Sequence, residues 1–453
     1  MKRSWFGRCM AVVLGCATAL SATACNNIGG DSDNTVTFYH YAMTNTLNAQ
    51  LEQKLAAFTE ETGIAVKHVS VSKDNYNATI STKIGGRKKD IDVLYLDQPL
   101  LAQYANSNLL YNLDDYITES QLDAETVEGS TDGSFLFNKN AFNDSAWETA
   151  VYNGSAYAIP LTMNTSVFYY NTATVKAALG LSSDSAAVEA VEAIETWDDL
   201  KAFAARVNGL GTDYALFGGM SSGGYMGWYS QVFVAAAGGT MYDAASGTVL
   251  PDDDGSVTRA FEMIKYLYDN SPESLYNSNT GFKGTASSPA GSVIFSLADS
   301  SAIKDLNVSY TTFGAIPIPG ESEQIGSKSN IGGENLVITQ KSEKKEQALR
   351  LIKYLVSEDC AAMFQQCTNN FSAVDKYAKV ETFSSDVDSS VYKMYDVVKQ
   401  SLENAQVRPV VAGWLQVNDN GIPTHLKKYI DGDYTEVSEA LAAIRAYAAT
   451  QLK

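Results

Sequence analysis

Histidine is scarce in this chain of 453 residues, and no group of residues has the spacing of a zinc site. The three histidines, His40, His68 and His425, are scattered along the sequence. Zinc sites need Cys and His ligands at short, characteristic spacings. A histidine metal site is therefore not expected, and the sequence indicates no cofactor.

Cysteine is scarce as well, and three of the five cysteines fall within the first 25 residues. The other two, Cys360 and Cys367, stand in "SEDCAAMFQQCTNN". Seven residues on an unbroken helix are too far apart for a disulfide, whereas a helix that ends near Gln366 would let the second cysteine fold back. A local disulfide, which an exported compartment permits, and two separate thiols both stay open.

Positive charge is in short supply. The chain has 33 Lys and Arg residues against 52 Asp and Glu residues, and its formal net charge is −19. Proteins that bind nucleic acid need the opposite balance, and an anionic membrane surface would repel so acidic a protein. Neither is expected as a partner of the folded part.

The N-terminal segment predicts an export signal over residues 1–24. Basic residues precede the apolar run "CMAVVLGCATALSATA", which is too short and wrongly flanked to span a membrane. Small residues then lead to Cys25 in "ATAC", as in a bacterial lipobox, where the cysteine would be diacylated. A plain signal peptide is the alternative, and "VLGC" at Cys16 is a rival lipobox. Residues 25–34, rich in Asn, Gly and Asp, indicate a flexible tether.

From Thr35 onward, strand and helix patterns alternate. "TVTFYHY" and "DIDVLYLD" indicate strands, and leucines at helical spacing lie between them. Asn153-Gly154 predicts a type I′ hairpin turn, and Thr196 with Asp199 predicts a capped helix start. This alternation is typical of α/β layers with a largely parallel sheet. Ligands bind such sheets at the carboxyl ends of strands, which points to Asp97 and to the loop at 41–46.

One long strand, "YAIPLTMNTSVFYYN" at residues 157–171, has an unusual polar centre. It is apolar at first, polar at Thr162, Asn164, Thr165 and Ser166, and then aromatic. A strand buried on both faces should be apolar throughout, and a half-exposed strand should alternate. Neither rule explains this strand.

The order of features resembles the family 1 extracellular solute-binding proteins, the sugar-receptor group that includes maltodextrin-binding protein. The segments that carry the resemblance span nearly the whole mature chain: the lipobox, "DIDVLYLD", "YNGSAYAIPLTMNTSVFYYN", "TWDDLKAFA", "VAAAGG", "FGAIPIPG", "GGENLVIT" and "GWLQV". The resemblance implies a two-lobed α/β fold of the periplasmic-binding-protein type II, with a ligand cleft between lobes joined by crossing strands. It also implies a binding protein and not an enzyme.

The resemblance further implies the division of the chain and its partners. Residues 35–163, rejoined by 325–375, would form the first lobe, and 164–324, completed by 376–453, the second. The polar centre of the long strand would then be the cleft floor, where side chains meet ligand and water. The cleft would close on a carbohydrate, expected to be an oligosaccharide, and present it to an ABC permease. The ATPase would be a separate chain, since this sequence has no phosphate-binding loop. The protein is expected to be a monomeric lipoprotein at the outer face of the cell membrane.

The resemblance implies aromatic and polar ligand contacts. Trp228 and Trp414 align with stacking positions of the family. The whole expected set is Tyr41, Asn45, Asp97, Thr162, Asn164, Tyr225, Trp228, Asp299, Glu334 and Trp414. Asn164 replaces an acidic residue of the family, and Asp299 lies where many relatives carry tryptophan, so maltose itself is not implied. These segments contain no arginine, which argues against an anionic solute.

Other functions fit parts of the sequence. "GMSSG" at residues 219–223 matches the G-x-S-x-G nucleophile elbow, with His425 as the only downstream histidine, so a secreted hydrolase is one alternative. Asp97, Asp299 and Glu334 could instead form a site for a polyamine or another cation. A structural lipoprotein is a third alternative, and it predicts no ligand-dependent closure.

Overall fold

The computed structural model describes residues 34–42, 45–86, 90–119, 136–218, 224–276, 281–306 and 312–452. The export signal, Cys25 and the "GMSSG" segment lie outside the described residues. Within the described ranges the chain forms two main mixed sheets with helices packed around them.

The strands are short at the periphery and long at the centre of the molecule. They are β1 (Thr35–Ala42), β2 (Ala65–Ser72), β3 (Val93–Asp97), β4 (Ile117–Thr118), β5 (Phe137–Asn138), β6 (Val151–Tyr152), β7 (Ser155–Ala156), β8 (Ile159–Pro160), β9 (Thr162–Asn171), β10 (Ala215–Gly218), β11 (Tyr242–Asp243), β12 (Thr248–Val249), β13 (Val293–Asp299), β14 (Phe313–Ile316), β15 (Ser329–Gly332), β16 (Glu334–Ile338), β17 (Phe371–Ser372) and β18 (Ala405–Gln406).

The α-helices bury one apolar face each against the sheets or against one another. They are α1 (Asn45–Thr62), α2 (Lys73–Ile84), α3 (Leu101–Asn106), α4 (Asp144–Glu148), α5 (Thr172–Leu179), α6 (Asp184–Glu192), α7 (Trp197–Ala205), α8 (Gly224–Ala236), α9 (Ser256–Asp269), α10 (Glu273–Tyr276), α11 (Ala302–Leu306), α12 (Lys345–Leu355), α13 (Glu358–Thr368), α14 (Ser390–Glu403), α15 (Trp414–Gln416), α16 (Ile422–Ile430) and α17 (Val437–Gln451). A π-helical turn, Val417–Gly421, joins α15 to α16.

The first sheet has the strand order β2-β1-β3-β16-β8, and the second has β10-β13-β9-β15-β18 with β14 and β17 also paired to β9. The strands β1, β2 and β3 run parallel to one another, but β16 is antiparallel to both of its neighbours, β3 and β8. In the second sheet β9 is antiparallel to all of its partners. The sheets are therefore mixed and not largely parallel, because the strands that pass between them return in the opposite direction.

Two chain segments cross from one sheet to the other. The first leaves the first sheet with β8 and enters the second with β9, and only Leu161 lies between them. The second leaves the second sheet with β15 and enters the first with β16, and only Gly333 lies between them. The two crossings are hydrogen-bonded to each other, since the Leu161 amide donates to the Glu334 carbonyl at 2.9 Å. This is the two-lobed architecture with crossing strands.

Each sheet carries its own hydrophobic core. The first core surrounds β1, β3 and β16, and the second surrounds β10, β13 and α8. The first core extends past the crossing to Val167 and Tyr169 of β9, to Phe313 of β14 and to Met394 and Val398 of α14. The helix α14 packs over β9 and β14, which are strands of the second sheet.

Several local predictions are confirmed. Asn153 and Gly154 have positive φ angles of 50° and 81° in the hairpin that joins β6 to β7. Thr196 and Asp199 form a complete capping box at the start of α7. Cys360 and Cys367 are both free and buried. They lie within one unbroken helix, α13, which holds them about 10 Å apart along its axis.

Within the described ranges, no helix combines the length and the hydropathy of a membrane span. In the same part of the chain, no group of three or more His, Cys, Asp or Glu side chains is arranged to hold a metal ion.

Candidate functional site

The two crossings place a cluster of polar side chains between the lobes. Thr162 is completely buried at the start of β9, and its hydroxyl donates to Glu334 Oε2 at 2.6 Å. Thr165 is also buried and donates to the carbonyl of Asn330 at 2.8 Å. The polar centre of the strand is therefore explained in large part by bonds between the crossing strands. Thr162, expected to contact ligand, is buried in this conformation and bonded to Glu334.

Glu334 is a buried carboxylate with both oxygens engaged. Its Oε1 accepts from the Tyr41 hydroxyl and its Oε2 from Thr162. Burial raises the pKa of Glu334, the two hydrogen bonds oppose that rise, and the nearby Asp97 charge adds to it. The side chain is 7% exposed. Tyr41 and Glu334 thus form the inner layer of the site, which holds the first lobe's wall in place.

Trp228 stands at the second lobe's side of the floor. Its indole Nε1 donates to Ser166 Oγ at 2.9 Å, and its carbonyl accepts from Asn330 at 2.9 Å. The ring edge lies against Gly332, where an added Cβ would come within 2.6 Å of the indole. A strand residue without a side chain is therefore required beside the ring.

Asn164 lies between Trp228 and a neighbouring asparagine. Its Nδ2 donates to Asn370 Oδ1 at 3.2 Å, and it is the partly exposed member of the polar centre of β9. An amide both donates and accepts, so Asn164 can bind a ligand hydroxyl in either role.

Asp97 lies at the carboxyl end of β3 and is paired with a residue that the sequence analysis missed. Arg408 Nη2 donates to Asp97 Oδ1 at 3.2 Å and to Gln98 Oε1 at 3.2 Å. The guanidinium carbon of Arg408 lies 4.7 Å from the centre of the Trp228 ring. The expectation that no arginine is close to the site is therefore wrong. Arg408 lies six positions before Trp414 (414 − 408), but 311 positions from its partner Asp97, so the sequence did not indicate the pairing.

A cavity of about 610 Å³ extends between the lobes beside Arg408. The hairpin that joins β6 to β7 lines one side and residues 240–244 line the other, with 406–411 between them. The lobes are therefore not closely packed here, which leaves room for them to move relative to each other.

Asp299, at the end of β13, and Tyr225, in α8, form a second group beside β9. Asp299 is the cross-strand partner of Ser166, the residue that binds the Trp228 indole. Tyr225 is 61% exposed, and its ring centre lies 6.3 Å from that of Tyr229. Burial raises the pKa of Tyr229, and the Asp299 charge contributes to that rise. This group lies beside Trp228 and extends the polar surface along β9.

The remaining two expected contacts are Trp414 and Asn45. Trp414 is completely buried in the second core, and its Nε1 has no hydrogen-bond partner. It is a core residue in this conformation, because the π-helical turn at 417–421 and α16 draw the following chain into the second lobe. Asn45 begins α1 and is exposed.

The arrangement suits reversible binding of a polar solute. It offers an aromatic surface, an amide, one partly exposed carboxylate and a guanidinium, all between two lobes. Residues 53–389 match the model of the bacterial extracellular solute-binding proteins. The chain belongs to that family. By its family, this solute-binding protein is thus an extracellular receptor, and the family consists of binding proteins and not of enzymes.

Individual relatives of the solute-binding protein are distant. An osmoprotective compounds-binding protein, GgtB, from Synechocystis is 25% identical over 285 residues, which cover 61% of this chain and 59% of the relative. The cyclic α-maltosyl-1,6-maltose binding protein from Arthrobacter globiformis superposes with a TM-score of 0.71 at 19% identity, covering 91% of this chain and 97% of that one. UgpB from Mycobacterium tuberculosis, in complex with glycerophosphocholine, gives 0.67 at 18% identity over 91% and 97%. These structures share the two-lobed fold.

Proposed function

We propose that this protein captures a carbohydrate, specifically an oligosaccharide, in the cleft at the strand crossing and delivers it to an ABC permease. The observation that carries the proposal is the position of Trp228 near Asn164 and Asp97. Sugar rings present C–H faces that stack on an indole, and their hydroxyls need a few well-placed donors and acceptors. The described site combines both within one cleft.

The relatives support a small polar solute and leave its class open. The A. globiformis protein binds a cyclic oligosaccharide, whereas UgpB was solved with glycerophosphocholine and GgtB is named for osmoprotective compounds. A polyamine or another small solute is therefore the alternative ligand. The observation that favours a cation is that Asp97 and the Trp228 ring both contact one positively charged group, the Arg408 guanidinium.

The proposal extends to how the protein is held. Cys25 would carry the lipid, residues 25–34 would serve as a tether, and the monomeric body would stay in solution at the outer face of the cell membrane. The permease and its ATPase would be separate chains. A ligand that touches both lobes favours the closed form, which would then be the form that docks on the permease.

Titration calorimetry tests the ligand class. The mature chain with Cys25→Ser is titrated with plant, host-glycan and α-glucan oligosaccharides and with spermidine. We expect binding to one oligosaccharide class and not to spermidine. Replacing Trp228 by Ala should weaken that binding by about 1–3 kcal/mol, the scale of a buried aromatic contact. Tyr266→Ala, in a separate surface cavity of the second lobe, is the matched control and should bind like wild type.

Small-angle scattering on the same samples tests closure. The radius of gyration should fall when ligand saturates the protein. Unchanged scattering together with silence across the panel would favour a structural lipoprotein, and a response to spermidine alone would replace the sugar by a cation.

A further inference from the structure

Asp97 and Trp228 together form the kind of site that recognises a cation. Cations are attracted to the face of an aromatic ring, most strongly that of tryptophan, and a carboxylate beside the ring adds a charge-assisted hydrogen bond. Arg408 occupies this position here: its guanidinium lies 4.7 Å from the ring centre and 3.2 Å from Asp97 Oδ1. The protein thus supplies its own cation to the cleft.

The Arg408 side chain is held from several directions. It is 11% exposed, and Gln98 Oε1 accepts a second hydrogen bond from Nη2 at 3.2 Å. Its backbone belongs to the segment between β18 and α15, and Pro409 follows it directly, which restricts the chain. A guanidinium held by two acceptors and a ring is costly to displace, since leaving a charge both buried and unpaired is strongly unfavourable.

We propose that Arg408 determines ligand specificity by filling a cation subsite made by Asp97 and Trp228, so that positively charged solutes are excluded and the cleft accepts neutral polar ligands. This inference rests on the proposed function, because it concerns the same cleft. Specificity can arise from an element that rejects the wrong ligand as well as from contacts to the right one. Arg408 rejects cations in two ways, by occupying their place and by charge repulsion.

One donor of the same side chain has no partner within the described part of the protein in this conformation. Arg408 Nε is buried and has no hydrogen-bond partner. A guanidinium can only donate, so the partner that fits is an acceptor oxygen, such as a hydroxyl or a ring oxygen of a sugar. An ammonium or guanidinium ligand offers no such acceptor. The unpaired Nε therefore favours the same class of ligand that the filled cation subsite selects.

Removing the guanidinium should convert the cleft into a cation receptor. In Arg408→Ala, ethylguanidinium and spermidine, each titrated up to about 10 mM, should bind at least about tenfold more tightly than in wild type, with a change in tryptophan fluorescence. Arg408→Lys keeps the positive charge and should exclude both probes. Arg408→Ala should still fold, because Asp97 is 38% exposed and water can hydrate its carboxylate when the guanidinium is gone. Thermal unfolding checks that the variant folds.

A second substitution shows where the cation binds. Adding Trp228→Ala to Arg408→Ala should abolish the gain in affinity for ethylguanidinium. If Arg408→Ala is folded and binds neither probe more tightly than wild type, the inference is overturned. It is equally overturned if wild type binds ethylguanidinium as tightly as the variant. Parallel titrations with neutral oligosaccharides distinguish the proposed function from this inference. If wild type binds no sugar, the proposed function is contradicted. The cation titrations of Arg408→Ala decide the inference independently of that result.

Discussion

His40 and His68 face each other on the neighbouring parallel strands β1 and β2. Their Nε2 atoms are in contact, and the two ring planes differ by only 4°. His40 is 2% exposed, and its Nδ1 donates to the carbonyl of Tyr41 at 3.1 Å. Burial, and after it the neighbouring His68, lower the pKa of His40 to about 4. The histidine is therefore neutral in the folded protein over most of the physiological range.

Protonation of His40 should destabilise the first lobe in mild acid. The pKa is about 6.5 in the unfolded chain and about 4 in the folded one, so the unfolded state binds the proton first. Stability from this group is complete above pH 6.5 and is lost as the pH falls from there through 4, by about 3 kcal/mol in total. Urea unfolding at pH 7.5 and 5 measures the effect.

His40→Gln should lose less stability than wild type between those two pH values. His425→Gln, which removes a histidine of the second lobe, is the comparison. Burial lowers the pKa of His425 as well, but this side chain is only half-buried, so its removal should change the pH dependence less than His40→Gln does. Equal losses in wild type and His40→Gln would show that the pKa of His40 is not depressed in the folded state.

At the scale of single residues, the sequence predicted which side chains gather and not how each is used. The structure brings Asp97 and Trp228 together at Arg408, whereas the ligand contacts that the resemblance implied stay predictions. It also buries Trp414, because exposure depends on how the turn after it packs. Arg408 escaped prediction because its partners are brought to it by folding alone. Pairing across some 300 residues leaves no local pattern to read.

At the scale of elements, the crossing requires a glycine at position 333, because both the backbone angle and the surrounding space exclude a side chain there. It separates β15 from β16, its φ angle is +135°, and an added Cβ would lie 2.0 Å from the carbonyl oxygen of Thr162. The close approach is what lets one crossing bond to the other. Any side chain at 333 would push the two segments apart.

Gly333→Ala should therefore reduce the free energy of unfolding by about 3 kcal/mol, through the strained φ angle and the clash together. Gly154→Ala is the matched control. Its φ angle is +81°, but no atom lies within 4 Å of the added Cβ, so only the strain of about 1 kcal/mol should appear. Chemical denaturation of both variants gives the comparison. Equal losses would mean that the close approach at the crossing contributes nothing.

Local sequence signals predicted turns and helix starts well, whereas strand pairing was not predicted. The hairpin turn and the capping box were predictable because the residues that make each of them are adjacent or three positions apart. The mixed sheets were not, because strand order depends on contacts between distant parts of the chain. The resemblance supplied the two lobes, and the residues alone would have indicated only alternating strands and helices.

For the whole molecule, the net charge bears on the proposed lipidation of Cys25. A net charge of −19 does not favour contact with an anionic membrane surface. A diacylated Cys25 would provide two acyl chains, which is enough for stable anchoring. The folded body would then depend on its tether for its place in the cell.

Cys25→Ser should move the protein from the membrane fraction to the soluble exported fraction, as measured by fractionation and immunoblotting. Cys16→Ser, at the rival lipobox, is the control and should leave the protein with the membrane. Retention of the Cys25→Ser variant in the membrane fraction would contradict lipidation at Cys25, and release by Cys16→Ser would place the modified cysteine at the rival position.

The double role of β9 has a consequence for how such receptors diversify. The strand that reaches the cleft is also the strand whose ladder joins β13, β14, β15 and β17. Because side chains alternate between faces, inserting one residue would turn Asn164 away from the cleft and separate Thr162 from Glu334. Changes of ligand preference are therefore restricted to exchanges of one side chain for another at constant spacing. Homologous receptors that bind other ligands should keep the ten-residue length of Thr162–Asn171 while its side chains vary.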